Sequence, residues 1–316
     1  MKKHIIIAFV SLVGLTLIAV LAPVTGISAN SISESIIDQS NTLITNQKQL
    51  TFVGTRSGEG YFSADGKKLI YQSEREEGNP FYQMFILDLE SGKSSRLSPG
   101  LGMTTCGWIH PKLNKAMWSS THLDKKIKEK VKNEYDERAK PVKKRYSWSY
   151  DDQYDIFESD LSGKKIKRLT KELGYDAEGS YSPNGKLIAF ASNRSQYKDK
   201  FTEEEKKTLE HDSSYAMEIF IMNSDGTNVK RLTNTVGYDG GPFFNAAGSK
   251  ITLRRFTPDG NRAEIYTMNI DGTEQKKITD LNSLSWAPTY HPSGEYIIFA
   301  SSVLGYSNFE LFMVDS

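Results

Sequence analysis

The stretch Tyr175 to Thr233 decides the fold. It reads YDAEGSYSPNGKLIAFASNR over 175–194 and, after an insertion, AMEIFIMNSDGTNVKRLT over 216–233. Asn184-Gly185 and Asp225-Gly226 are dipeptides that close tight hairpins, because glycine accepts positive φ without a Cβ clash. Leu187 to Ala191 and Glu218 to Met222 are short, partly β-branched or aromatic, and bounded by turns, so they read as strands. The unit is a small antiparallel meander. It cannot bury its own faces, so it needs copies beside it.

The chain supplies them. The closing phrase occurs as QLT, RLS, RLT, RLT and KIT, with last residues at 51, 98, 170, 233 and 279, so the spacings are 47, 72, 63 and 46. The internal phrase recurs as FSADGKKLIYQSER, IHPKLNKAMWSSTH, YSPNGKLIAFASNR, FNAAGSKITLRRFT and YHPSGEYIIFASSV. A period in the forties with four short strands per unit predicts an all-β fold, the β-propeller. Four complete blades are expected over 58–98, 103–170, 176–233 and 239–279, and a fifth, over 285–316, has three strands. Two closures fit. Either Lys48 to Val53 lies on the outer edge of the last blade and completes a five-bladed ring, or the repeats come from a longer, six-bladed parent. The missing fourth turn in the fifth repeat favours the parent.

Residues 1–29 read as a secretory signal peptide: Lys2 and Lys3, an apolar run from Ile5 to Leu21, and small residues ending at Ala29. The competing reading is an uncleaved anchor, since the run is near the lower limit for a span. Residues 30–47 read as a polar leader arm and 48–316 as the propeller. Export to a periplasm or beyond follows, with no stable membrane insertion after cleavage. The net charge of +1 gives no global pull toward nucleic acid. Cys106 is the single cysteine, so no intrachain disulfide forms, and it reads as a small buried thiol.

Two insertions fall between the second and third strands of their blades. Lys125 to Arg145 holds ten basic and four acidic residues, with Ile127, Val131 and Tyr135 on one helical stripe that Pro141 ends. The interleaved acids make it a solvated lid rather than a nucleic-acid site. Thr202-Glu203-Glu204-Glu205 has the form of a capping box and opens a short helix to Glu210.

No H-E-x-x-H, G-x-S-x-G or glycine-rich phosphate loop is present. His110 and His291 each precede proline in the same repeat slot and read as turn residues, and a three-histidine metal site is not expected. Asp225-Gly226 and Asp271-Gly272 resemble calcium loops but lack the further ligands, so they read as hairpin turns. No metal, cofactor or catalytic residue is assigned. The informative polar residues stand just before and within each first strand, in two aligned slots: Ser57 and Glu59, Thr104 and Cys106, Asp176 and Glu178, Asp239 and Gly241, Ser285 and Ala287. Glu59, Asp176, Glu178 and Asp239 should converge at the channel mouth, with negative potential strongest over blades three and four and Trp286 as a neighbouring wall. Arg75, His122, Arg194, Arg254 and Arg255 follow the second strands. They either brace these acids in a girdle between blades or rim a binding site.

These repeats resemble TolB-type propellers of the bacterial envelope, and the likeness covers nearly all of Lys48 to Ser316. TolB itself has six blades and an α/β domain ahead of them, for which residues 31–46 are too short, so its tethering role does not carry over. EREEGNPFYQMFILDLESG, TTCGWIHP and YDGGPFF look closer to exported propellers found alone or ahead of a zinc aminopeptidase domain. The resemblance implies an exported, non-catalytic scaffold for a protein or peptide partner. Two alternatives stay open: the substrate-gating propeller of a peptidase whose catalytic domain lies beyond residue 316, and a metal-dependent lactonase-like hydrolase.

Overall fold

The computed structural model describes residues 4–7, 22–23, 48–142 and 148–316. Two short strands come first, β1 (His4–Ile7) and β2 (Ala22–Pro23). Blade 1 follows with β3 (Arg56–Phe62), β4 (Lys68–Glu74), β5 (Gln83–Asp88) and β6 (Ser94–Arg96). Blade 2 has β7 (Thr104–Ile109), β8 (Lys115–Ser120), β9 (Asp155–Asp160) and β10 (Lys167–Arg168). Blade 3 has β11 (Asp176–Tyr181), β12 (Leu187–Ser192), β13 (Glu218–Asn223) and β14 (Lys230–Arg231). Blade 4 has β15 (Asp239–Phe244), β16 (Lys250–Phe256), β17 (Ala263–Asn269) and β18 (Lys276–Lys277). Blade 5 has β19 (Ser285–Tyr290), β20 (Tyr296–Ser301) and β21 (Glu310–Asp315). Each blade is an antiparallel meander, and together they make the expected five-blade propeller.

The helices fall in the two insertions. Helix α1 (Ile127–Ala139) forms where predicted, but of the expected stripe it buries Ile127 alone: Val131 is half-buried and Tyr135 is exposed. Helix α2 (Glu203–His211) starts on the predicted capping box: Thr202 Oγ1 accepts from the Glu205 N–H at 3.2 Å, and Glu205 Oε2 accepts from the Thr202 N–H at 2.7 Å. The basic α1 is tied down by acids. Arg138 donates to Glu74 and to the Pro80 carbonyl, and Lys130 bridges Asp124 and Asp151. Lys143, Lys144 and Arg145 of this insertion lie outside the described residues.

The chain divides into two compact units, Thr51–Arg231, and Leu232–Ser316 with the segment Met1–Leu50. In the first, the core lies between sheets. Ile70, Met84 and Leu97 of blade 1 pack with Trp118 and Phe157 of blade 2, and Met117 and Ile156 pack with Ile188, Phe190 and Phe220 of blade 3. In the second, Ile265 and Ile278 pack with Phe299, Phe312 and Val314. This is why the meander repeats: each sheet buries a face only against its neighbour.

One expectation is corrected. Lys48 to Val53 forms no strand, and the outer position of blade 5 is held by β1, which pairs antiparallel with β21. An unpaired strand edge presents a row of free N–H and C=O groups, and the β-branched run Ile5 to Ile7 satisfies it. The leader arm 30–47 lies outside the described residues.

The glycines of the turns after the third strands have a second duty besides the hairpin. A Cβ at Gly163 would stand 2.6 Å from the Leu97 carbonyl oxygen, one at Gly226 2.6 Å from that of Leu169, and one at Gly272 2.6 Å from that of Leu232. Gly92, the equivalent in blade 1, has φ +68° and nothing within 4 Å. Gly92→Ala should therefore cost only the left-handed backbone penalty, about 1–2 kcal/mol. Gly226→Ala, at φ +91°, adds a clash with a carbonyl and should cost clearly more; urea unfolding of both variants measures the difference.

Candidate functional site

The two polar slots of the first strands take opposite environments because each first strand carries a β-bulge. Pairing shifts by one residue between Gly58 and Gly60, Thr105 and Trp108, Ala177 and Ser180, Gly240 and Phe243, and Trp286 and Thr289. Inside every bulge one residue is left-handed: Glu59 (φ 44°), Cys106 (φ 54°), Glu178 (φ 57°), Gly241 (φ 60°) and Ala287 (φ 50°). Four of these five carry a Cβ, at about 1–2 kcal/mol of strain each. In a regular strand residues i and i+2 share a face; the extra bulge residue breaks that rule.

The first slot is sealed. Asp176 and Asp239 are each 0% exposed. Arg194 pairs with Asp176, and the Ser192 hydroxyl donates to the same carboxylate at 2.6 Å. Arg255 donates to both oxygens of Asp239, at 2.7 and 2.6 Å, and Thr235 adds a bond at 3.2 Å. Burial pushes both carboxyls above their ordinary range, and the arginines pull them back. Both pairs lie within one blade, joining first strand to second, rather than between blades. The same corner is built on hydroxyls elsewhere: Ser57 donates to Ser73, to which Arg75 Nε also donates at 2.9 Å, and the Ser285 and Ser301 hydroxyls lie 3.3 Å apart. In blade 2 His122 Nδ1 meets Ser120 at 3.0 Å and its ring packs 4.2 Å from that of Phe157. Burial lowers the His122 pKa to about 4.

The second slot holds the groups with access to solvent. Glu59 is exposed and Glu178 half-buried. Both raise the pKa of Tyr61 and of Cys106, behind the larger effect of burial, so their fields meet at these groups. Tyr61 donates to Glu59 at 3.3 Å and packs, tilted, against Trp108 with ring centroids 4.6 Å apart; Thr105 donates to Gln72 at 2.9 Å and lies 3.4 Å from Glu59. The Cys106 thiol is buried and held protonated. In blade 4 the slot is Gly241, and the Arg254 guanidinium stands 2.5 Å from where a Cβ would be. That guanidinium lies 4.6 Å from the Tyr238 ring centroid and 4.0 Å from that of Trp286, which is 36% exposed. The expectation of an acidic maximum over blades three and four is thus corrected. Blade 4 neutralises Asp239 and fills the second slot with the buried Arg254 guanidinium, and the slot acids with access to solvent are Glu59 of blade 1 and Glu178 of blade 3.

A further repeated group was not singled out from the sequence: Gln83, Asp155, Glu218 and Glu264 at the head of each third strand. These hold the closing phrases. Ser98 donates to Gln83 at 2.8 Å, Thr170 to Asp155 at 3.3 Å, Thr279 to Glu264 at 2.5 Å, and Arg231 donates to Glu218 at 2.8 Å. The signal is legible as Q-M-F, D-I-F, E-I-F and E-I-Y. Burial raises Asp155 to about 6. The remaining histidines and turns read as expected: His110 Nδ1 accepts from the Lys112 and Leu113 N–H groups, and Asp225 and Asp271 accept from Thr227 and Thr273 within their turns. Among the described residues no group of three or more His, Cys, Asp or Glu could hold a metal ion, and no helix is long and apolar enough to cross a membrane.

No protein-family model matches the sequence, and no curated protein is similar to it. Solved structures are similar. A protein described as TolB from Agrobacterium tumefaciens has 19% identity and a TM-score of 0.55 over 82% of this chain and 83% of its own. TolB from Acinetobacter baumannii has 16% identity and a TM-score of 0.55, covering 100% of this chain and 64% of its own. A puromycin-hydrolysing peptidase from Mycobacterium tuberculosis has 12% identity and a TM-score of 0.51 over 83% of this chain and 37% of its own. At these identities the likeness is one of fold: the chain is a β-propeller, similar in fold to these structures.

Two predictions test the corner. Arg194→Ala leaves Asp176 buried without its cation and should cost about 3–5 kcal/mol in urea unfolding, whereas Asp176→Asn with Arg194→Met should recover much of it. His122 has a folded pKa below its unfolded value, so it contributes stability above pH 6.5 that is lost as pH falls toward about 4. His122→Asn should lower the thermal midpoint at pH 7.5 more than at pH 4.5.

Proposed function

We propose that this propeller is an exported, non-catalytic scaffold that binds a protein or peptide partner through its first-strand bulges. The observation that carries the reading is the contrast between the two slots. Asp176 and Asp239 are engaged by arginines and His122 is packed on Phe157, while Glu59 and Glu178 keep access to solvent beside the Tyr61–Trp108 pair. Two carboxylates whose fields overlap favour a cation, and the aromatic pair suits the apolar stem of a lysine or arginine or a peptide N-terminus. Export is supported by the basic, apolar and small-residue order of residues 1–29.

The likeness to the peptidase, over about a third of that chain, favours a second reading, a propeller that screens substrates for a catalytic domain. Both readings place a peptide on the same face, and an active-site serine or metal centre encoded downstream would decide for the second.

Isothermal titration with a lysine-rich hexapeptide bearing a free N-terminus tests the binding face. The double variant Glu59→Gln, Glu178→Gln should bind at least tenfold more weakly, about 1.4 kcal/mol, and the wild-type affinity should fall with salt. Equal affinity of the variant overturns the assignment. Heat released on calcium addition would instead support the metal-enzyme alternative.

A further inference from the structure

One position of the repeat changes its chemistry in blade 1. Ser57 pairs with Ser73 as Thr104 does with Ser120, Asp176 with Ser192 and Ser285 with Ser301, so Glu74 corresponds to Thr121, Asn193 and Ser302. In blades 2, 3 and 5 this side chain is neutral and serves its own blade. Thr121 accepts from the Met103 N–H at 3.1 Å, Asn193 from the Tyr175 N–H at 2.7 Å, and Ser302 from the Leu284 N–H at 3.2 Å. Glu74 is instead a carboxylate, 5% exposed, on which two arginines meet. Arg56 donates to Oε2 from within the blade at 2.8 Å. Arg138 comes from α1, an insertion of blade 2, and spreads its fork over two acceptors of blade 1, the Glu74 carboxylate and the Pro80 carbonyl, the latter at 2.7 Å.

Both halves of the Arg138 contact keep a partner when they part. Arg138 Nε also donates to Glu134, one turn back in α1, at 2.7 Å, and Glu74 retains Arg56. Breaking a buried ion pair is costly because it strands a charge, and here neither charge is stranded. The helix that carries Arg138 has 13 residues and buries only Ile127, so apolar packing contributes little to holding it down. The contact also lies beside the open bulge of blade 1. Burial pushes the Tyr82 hydroxyl above its ordinary range, and the fields of Arg56, Glu74, Glu59 and Arg138 all reach it.

We propose that the Glu74 carboxylate and the Pro80 carbonyl form a binding site for an arginine side chain of a peptide partner, and that α1 fills it in cis with Arg138 until the partner's arginine takes its place. A guanidinium fits because its planar fork spans a carboxylate and a carbonyl at once, whereas the ammonium of lysine is a single point charge. While α1 is docked, the apparent affinity for the partner is lowered by the fraction of molecules in which the pocket is open. The inference rests on the peptide-binding reading for the nature of the partner, and adds to it an acid separate from Glu59 and Glu178.

Arg138→Ala opens the pocket, and the probe is a Gly-Arg-Gly tripeptide acetylated and amidated at its ends, which offers no terminal ammonium to the bulge acids. In titration calorimetry Arg138→Ala should bind it about tenfold more tightly than the wild type does, and more tightly than it binds the matching Gly-Lys-Gly. The gain should vanish when Glu74→Gln is added. It should persist when Glu59→Gln and Glu178→Gln are added instead, so a failure of the bulge reading leaves this result legible. Equal affinity of wild type and Arg138→Ala, no binding by Arg138→Ala, a gain that survives Glu74→Gln, or one lost with the bulge variants overturns the proposal. Hydrogen exchange on the unmutated chain is an independent check. Millimolar Gly-Arg-Gly should speed exchange of the α1 amides and Gly-Lys-Gly should not; unchanged exchange also overturns it.

Discussion

The architecture depends on a contact between a carbonyl and a glycine. The closing phrase of one repeat presents its leucine carbonyl to the turn glycine of the next, at Leu97 to Gly163 and at Leu169 to Gly226, so close that any side chain would collide. That contact sets how far one sheet sits from its neighbour, and the neighbour's face then receives Met117, Ile188 and Phe190 or their equivalents. A four-stranded meander has two faces and no interior. Its stability is borrowed from stacking, and stacking is possible only where the backbone is bare.

Charge is handled in the same local manner. Three buried acids are satisfied inside their own blades, Asp176 by Arg194 and Ser192, Asp239 by Arg255, and Asp155 by Arg168 and Thr170, while Glu74 of blade 1 also takes Arg138 from helix α1. A buried carboxylate without such a partner would cost several kcal/mol. The hydroxyl corners built on Ser73 and Ser301 do the same work without burying a carboxylate. The strained bulges are a different matter. Their left-handed residues place two glutamates on the open side of the sheet in blades 1 and 3, beside Tyr61 and Trp108. Strain of that kind persists only where the surrounding sheet over-determines the backbone.

Much of this was legible beforehand. The hairpins at Asn184-Gly185 and Asp225-Gly226, the capping box at Thr202, the end of α1 before Pro141 and the exact alignment of ten slot residues across five repeats are local features. Each is written in a handful of adjacent residues, and the structure reproduces them. The third-strand acids were equally visible as a repeated triplet, but their purpose appears only once the closing threonine is seen to lie against them.

The sequence by itself therefore determined the number of repeats, the strands and turns within each, and which residues occupy equivalent positions, because those depend on backbone conformations set by neighbours along the chain. Only the tertiary structure decided which acids are sealed and which meet water. Asp176 and Glu178 are two residues apart and would share a face of a regular strand. The bulge between Ala177 and Ser180 inserts one extra residue, turns the backbone left-handed at Glu178, and sends one carboxylate into an arginine pair and the other toward solvent. The occupant of the β21 edge was likewise beyond local reading, because β1 reaches it from the opposite end of the chain.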